Sequence, residues 1–284
     1  MKKTYLFLAS ALMLGFTACN SNQQAGNQNA TTAQDSTATA STANAPTPSG
    51  EVMSKNGLRV YAFDDSPKFP DAQLTLAEPA AGSTVTGDSV KFNYELQNYE
   101  LTSMTDAGHA EHMANSQQGQ HIHNIVDNQP YTAHYNTNFS KAMEEGEHVV
   151  LSFLSRSYHE SLKHEDAYDL RKITVGSPAK KIDIDLDAPN MFYSRPKGEY
   201  TGADAERVML DFYLVNTELS PEGNKVRATI NGTEFMLDRW MPYIMEGLPM
   251  GENTVKLELV DNNGNVLPGP YNSVERTFTL KPAA

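Results

Sequence analysis

The stretch Val90–Leu101, VKFNYELQNYEL, returns later in the chain as Val208–Leu219, VMLDFYLVNTEL, with five identities in twelve positions. Both read as strands of alternating apolar residues. Two more blocks recur in the same order. Ile122–Tyr131 matches Val226–Phe235, each a strand, a turn signal (Asp127-Asn128 against Asn231-Gly232) and an aromatic residue. Gly146–Val150 then matches Gly251–Val255. Ordered recurrence of turns as well as strands marks an internal repeat, not convergent strand composition.

Around these blocks, Leu74–Leu76, Val90–Leu96, Ile122–Val126 and Val149–Leu154 read as strands, with turns at 79–83 and 127–130; only Asn138–Glu145 leaves room for a turn or two of helix. The fold class is therefore all-β: two tandem Ig-like antiparallel β-sandwich domains of roughly 100 residues each. The expected boundaries are 1–18 for a signal peptide, 19–52 for a disordered tether, 53–176 for the first sandwich and 177–284 for the second.

The N-terminus carries its own reading. Lys2 and Lys3 precede a short apolar run from Thr4 to Gly15, and Phe16-Thr17-Ala18-Cys19 follows. That is a secretory signal, too short to span a bilayer. Its last four residues resemble the lipobox of bacterial lipoproteins, with Phe16 in place of the usual Leu. The resemblance implies a lipid on Cys19, the single cysteine of the chain, and membrane attachment through it. Residues 20–24 lack both the Asp that resembles an inner-membrane retention signal and an acidic export cluster, so an outer-membrane anchor facing the periplasm is expected. From Asn20 to about Gly50 the chain is rich in Ala, Thr, Ser, Asn and Gln, with no aromatic residue and one acidic residue, Asp35, a composition that cannot offset its ordering entropy. The formal charge is −13, with no basic stripe to neutralise phosphates, so nucleic acid is not an expected partner.

All eight histidines fall between His109 and His164. The repeat aligns His121, His123, His134 and His148 with Lys225, Arg227, Asp238 and Asn253, so the scaffold does not require imidazole at those places. Strand parity puts His121 and His123 on the face opposite Ile122, pointing out of the first sandwich and close enough to share a metal ion. His148 and His159 lie near the ends of the next strand. His121, His123, His148 and His159 are thus the expected ligands, as neutral imidazoles, for zinc or copper. Met104 and Met113, with His109 and His112, occupy the Thr102–Gln118 loop and read as cover for apolar surface. Val149, Leu151 and Phe153 fall on the outward parity of their strand, so the second domain or that loop should cover them. Trp240–Ile244 reads as core or interdomain packing, and Arg156 as a surface partner for Glu160.

At these histidines the first copy resembles a family of periplasmic β-sandwich domains of unknown function that carry a G-H-H-H-L-L-I-D strand, a later G-K-H-T-L and a further His. Gln120–Asp127 keeps two of the three histidines and the Asp, Gly146–Val150 matches the second block and His159 the third, while Ile122 replaces the middle His. The whole chain is similar to tandem β-sandwich lipoproteins of Bacteroidetes, some of them labelled phosphopeptide-binding. The resemblance implies an envelope binding module for an unknown protein or small-molecule ligand. Against phosphopeptide capture, Ser155–His159 is one residue longer than the Ser-Arg-x-His of forkhead-associated domains. No nucleophile elbow and no HExxH is present, so catalysis is not expected. The competing reading is a structural envelope lipoprotein whose histidines are incidental.

Overall fold

In the computed structural model, which describes residues 45–177 and 181–283, strand order carries the repeat. Two short strands lead, β1 (Met53–Lys55) and β2 (Leu58–Ala62). The first sandwich follows as β3 (Gln73–Glu78), β4 (Thr84–Val85), β5 (Ser89–Gln97), β6 (His121–Val126), β7 (Thr132–His134), β8 (Asn138–Ala142), β9 (Gly146–Ser155) and β10 (Tyr168–Val175). The second is β11 (Asn190–Arg195), β12 (Gly198–Thr201), β13 (Val208–Val215), β14 (Lys225–Ile230), β15 (Thr233–Leu237), β16 (Tyr243–Glu246), β17 (Gly251–Val260) and β18 (Ser273–Lys281).

The first sandwich packs β4-β10-β9-β6-β7 on β3-β5-β8, and the second packs β12-β18-β17-β14-β15 on β11-β13-β16. In each copy one short strand, β4 or β12, runs parallel to the last strand of its sandwich. The quoted stretches occupy β5 and β13, and each ends in an asparagine with left-handed backbone, Asn98 (φ 54) and Asn216 (φ 55). The turn signals are also equivalent: Asp127-Asn128 and Asn231-Gly232 all have positive φ, as a hairpin of the type favoured by strand twist requires. Two sandwiches of one design are therefore present, as the repeat predicts.

Three expectations need correction. Asn138–Ala142 is not helical but an edge strand that pairs antiparallel with β5 and turns Phe139 toward the core. The periodicity of five residues is too short to separate the two states, and the unpaired edge of β5 decides between them. Second, the boundary at residue 53 fails. β2 pairs with β16, with Tyr243 opposite Ala62 and Met245 opposite Val60, so β1 and β2 extend a sheet of the second sandwich before the chain crosses to build the first. The end of the expected tether is ordered with them: Pro48 bridges Phe63 and the Ser49 amide donates to the Ala62 carbonyl at 2.7 Å. The signal peptide, Cys19 and the tether up to residue 44 lie outside the described residues. Third, the turn at 127–130 is longer than its counterpart, so the partner of His134 across the repeat is Leu237, which opposes Val226 as His134 opposes Ile122.

Each sandwich has its own core, and a third apolar cluster joins them. Ile125, Val149, Leu151 and Phe153 from the outer face of β6 and β9 meet Phe192, Tyr213, Val215 and Tyr271 of the second sandwich. Phe153 stacks on Tyr213 with ring centroids 4.7 Å apart, and Trp240 meets the same Tyr213 edge-on at 5.1 Å. The outward apolar residues of β9 are thus covered by the second domain, and Trp240 serves interdomain packing, as expected. Every residue of β13 is buried because it faces its own core on one side and this seam on the other.

Candidate metal centre

β6 places its side chains alternately. Ile122 enters the first core, and Asn124 reaches the Tyr94 hydroxyl at 3.2 Å and Ser152 Oγ at 3.3 Å on the same side. His121, His123 and Ile125 take the opposite face. Parity was legible, but the destination was not: His121 and His123 are both fully buried, in the seam and not in solvent.

There His121 Nε2 lies 2.9 Å from His123 Nε2 and 3.0 Å from His159 Nδ1. One nitrogen from each ring falls within 4.8 Å of the others. The orientation of His121 is set locally, because its Nδ1–H donates to the Gly119 carbonyl at 2.7 Å and leaves the lone pair on Nε2. Gly119 has φ +82, and a Cβ there would stand 2.4 Å from the Thr102 carbonyl oxygen, so no other residue fits this loop without moving it. The His123 ring stacks on Tyr131 at 3.6 Å, and its Nδ1 is buried without a hydrogen-bond partner. The Tyr131 hydroxyl is 3.3 Å from His159 Nδ1.

His159 arrives from the turn after β9, held in left-handed backbone at φ 68. The second copy has the same turn. Ser155 bridges Ser161 as Val260 bridges Val266, and the His159 amide donates to the Arg156 carbonyl as the Gly264 amide donates to the Asp261 carbonyl. The counterpart of His159 is therefore Gly264, φ +82, the residue this backbone favours. Arg227, in the place of His123, reaches the Gly264 carbonyl at 3.1 Å. The positions of His123 and His159 thus meet in both copies, as Arg227 and Gly264 in one and as imidazoles in the other, while Lys225, in the place of His121, reaches Asn262 of the same turn at 2.8 Å.

Burial holds all three rings in the neutral form that ligates metals. It lowers His121 to about 4, assisted by the nearby charges of Arg195 and Lys197. Burial likewise holds His123 well below the ordinary value, followed by the effect of the other two rings, and His159, where the charge of Arg195 comes next. Three neutral imidazoles suit zinc or copper. Tetrahedral zinc with bonds of about 2.0–2.1 Å spaces its nitrogens by roughly 3.4 Å, so an ion here would move His121 Nε2 away from the other two nitrogens by a few tenths of an ångström. A single in-plane lone pair on His121 Nε2 faces two other ring nitrogens, and a shared cation satisfies all three at once.

His148, the fourth expected ligand, is elsewhere. Its Nδ1 is 2.7 Å from Asp127 Oδ2 and its Nε2 2.8 Å from the Glu144 carbonyl. Asp127 also accepts from the Val149 amide, as Asn231 accepts from the Thr254 amide in the second copy, where Asn253 takes the place of His148 and bonds to Asn231 at 2.7 Å. His148 thus belongs to a hairpin lock that both copies build, so here the scaffold does use the histidine. The expectation for Arg156 is met in part. Arg156 does pair with Glu160 at 2.9 Å, but both are buried and the guanidinium also donates to the Pro67 carbonyl, so it offers nothing to a phosphate. His109 contacts Asp65 through Nδ1 at 3.3 Å and Ser66 Oγ through Nε2 at 3.4 Å, the connectivity of a hydrolase triad. Ser66 is buried and its hydroxyl proton is donated to Glu160 and not to His109.

Tyr131, Gly119, Arg195 and Lys197 carry no signal in the sequence as site residues, because the seam that gathers them joins segments far apart in the chain. The left-handed position of His159 is the exception, since the alignment of the turns against Asn263-Gly264 exposes it.

No family model and no curated protein matches the chain. Solved structures similar to it include fibronectin(III)-like modules of CbhA from Clostridium thermocellum, at 8% identity over 74% of this chain and 95% of that one, TM-score 0.26. The mixed-linkage glucan utilization protein SGBP-B of Bacteroides ovatus, in complex with a mixed-linkage heptasaccharide, is similar at 7% identity over 73% of this chain and 47% of its own, TM-score 0.22. The FN1–FN3 domains of chicken CNTN1 follow at 9% identity over 78% and 68%, TM-score 0.21.

Proposed function

We propose that this chain is a non-enzymatic binding module of the cell envelope, tethered by a lipid on Cys19, whose first sandwich holds one transition-metal ion on His121, His123 and His159. The observation that carries the metal reading is the convergence of three neutral ring nitrogens within 4.8 Å, two of them on fully buried rings, at positions where the second copy has Lys225, Arg227 and Gly264. Zinc and copper are the ions this donor set favours. The anchor rests on the basic, apolar and Cys-terminated N-terminus, and the non-catalytic reading on a sequence without a nucleophile elbow or an HExxH motif.

The test is metal content and thermal stability of the purified protein. Wild type is expected to retain about one equivalent of zinc or copper and to melt higher when metal is added, since a ligand at about 1,000 times its Kd adds roughly 4 kcal/mol. His121→Ala should lose both effects and His148→Asn should keep both. Equal metal in wild type and His121→Ala would remove the metal reading and leave the histidines as packing.

A further inference from the structure

The seam around the three histidines is strongly cationic in a protein of net charge −13. Arg195, at the end of β11, is buried, and its Nε has no partner. Its guanidinium lies against the Tyr131 hydroxyl, the same hydroxyl that approaches His159 Nδ1 at 3.3 Å. Lys197 sits 3.7 Å above the Tyr131 ring and donates to the Tyr131 carbonyl at 2.7 Å. Burial and then the charges of Arg195, Arg276 and Lys141 lower Lys197 to about 8, which places four cations in mutual range. None of the four is in an ion pair among the described residues. Asp211, opposite Arg195 across the strands, is taken by Lys163 and Ser161. Asp204 feels Arg195 but does not pair with it.

Adding a dication to this seam would be costly without a compensating negative charge, because buried like charges repel strongly where water cannot screen them. A buried polar atom without a partner, here Arg195 Nε, requires an explanation of its own. Both facts have one solution. We propose that the metal on His121, His123 and His159 carries an exogenous oxyanion, a carboxylate or an inorganic oxyanion such as phosphate, gripped on its far side by the Tyr131 hydroxyl and the Arg195 guanidinium. This rests on the metal reading above and names the ligand class of that site. The first sandwich supplies the metal ligands and Tyr131, and the second supplies Arg195, so the ligand is read at the junction of the two. Lys197, on the face of the Tyr131 ring away from His123, adds to the field without touching the ligand. His159 is the one ring of the three that is only partly buried.

The experiment loads the full chain with one equivalent of cobalt(II), removes the excess, and titrates acetate or inorganic phosphate while following the visible spectrum and the heat of binding. Both anions should change the cobalt spectrum, and the metal-free protein should bind them at least about tenfold more weakly. Tyr131→Phe, which preserves the ring stacked on His123, should keep the cobalt and lose about tenfold in anion affinity. Arg195→Lys should keep a weakened response and Arg195→Gln should lose it, with near-ultraviolet dichroism checking that each remains folded. If cobalt binds but neither anion alters its spectrum, or if Tyr131→Phe and Arg195→Gln respond as wild type does, the oxyanion proposal is overturned while the metal site stands. If cobalt does not bind at all, the metal reading fails first and this one with it.

Discussion

At the scale of single residues, the repeat supplies a built-in comparison for each histidine. His148 has Asn253 as its equivalent and performs the same hairpin lock, whereas His159 has Gly264 and occupies a backbone conformation that costs a non-glycine residue about 1–2 kcal/mol. The first copy therefore tolerates a local penalty at His159, as residues with a ligand to hold commonly do. Substituting His159→Gly removes that penalty but gives the unfolded chain more freedom, worth about 0.4–1 kcal/mol in the other direction. The metal-free melting temperature should accordingly stay within about 3 °C of wild type, while the rise on adding zinc disappears. A large loss of stability without metal would mean that His159 is there for packing.

The three buried rings also fix how stability depends on pH. His121 titrates near 4 in the fold against 6.5 when unfolded, and His123 and His159 are shifted the same way. Between those values the unfolded chain binds more protons, so this contribution is complete above about pH 6.5 and is lost progressively as the pH falls toward 4. Each ring contributes a slope of up to about 1.4 kcal/mol per pH unit. Urea unfolding of metal-free protein between about pH 7 and pH 5 should show the midpoint falling, and His159→Gly, with one fewer such ring, should fall less steeply. Parallel slopes would show that His159 takes up protons alike in the folded and unfolded chain.

At the scale of elements, β6 and the loop before it decide whether the site exists. Strand parity, readable in Gln120–Asp127, separated Ile122 from His121 and His123. What it does not encode is the cover on the histidine face, because a strand of an Ig-like sheet has an outer face whose surroundings depend on the neighbouring domain. The lock on His121 was equally hidden, since the glycine that makes it is one of many in loops. Gly119→Ala would drive a methyl group into the Thr102 carbonyl and shift the Gly119 oxygen from His121 Nδ1. Its expected effects are a loss of more than about 2 kcal/mol in stability and a 10–100-fold weaker metal affinity, the usual range when the group orienting a metal-bound histidine is removed. Gly87→Ala is the control, with the same φ of +82 but no atom within 4 Å of the added carbon, and it should cost only the backbone strain and leave metal binding unchanged. Equal metal affinity in Gly119→Ala and wild type would show that His121 needs no orienting carbonyl.

At the scale of the whole molecule, the two-sandwich plan was legible because β5, β6 and β9 each have a matching sequence in β13, β14 and β17. The entry of the chain was not legible, since β1 and β2 belong to neither repeat and their pairing with β16 has no sequence counterpart in the first copy. That pairing ties the first strands to the second sandwich: Leu58, Val60 and Ala62 are buried in the second core although 127 residues lie between Ala62 and the start of β11 at Asn190. Since the first sandwich is then threaded between two parts of the second, and the seam of Phe153, Tyr213 and Trp240 bonds them face to face, neither should unfold without exposing the other. Deleting residues 45–62 removes two large side chains from the second core, worth roughly 1.5–3 kcal/mol each, and bares the edge of β16 with Tyr243 and Met245. Calorimetry should show one cooperative transition for the intact protein and, for the deletion, a first transition lowered by roughly 10 °C or more together with concentration-dependent association. A deletion variant that melts where the intact protein does, and stays monomeric, would mean that β2 is an appendage and that the second sandwich is complete from residue 190 onward.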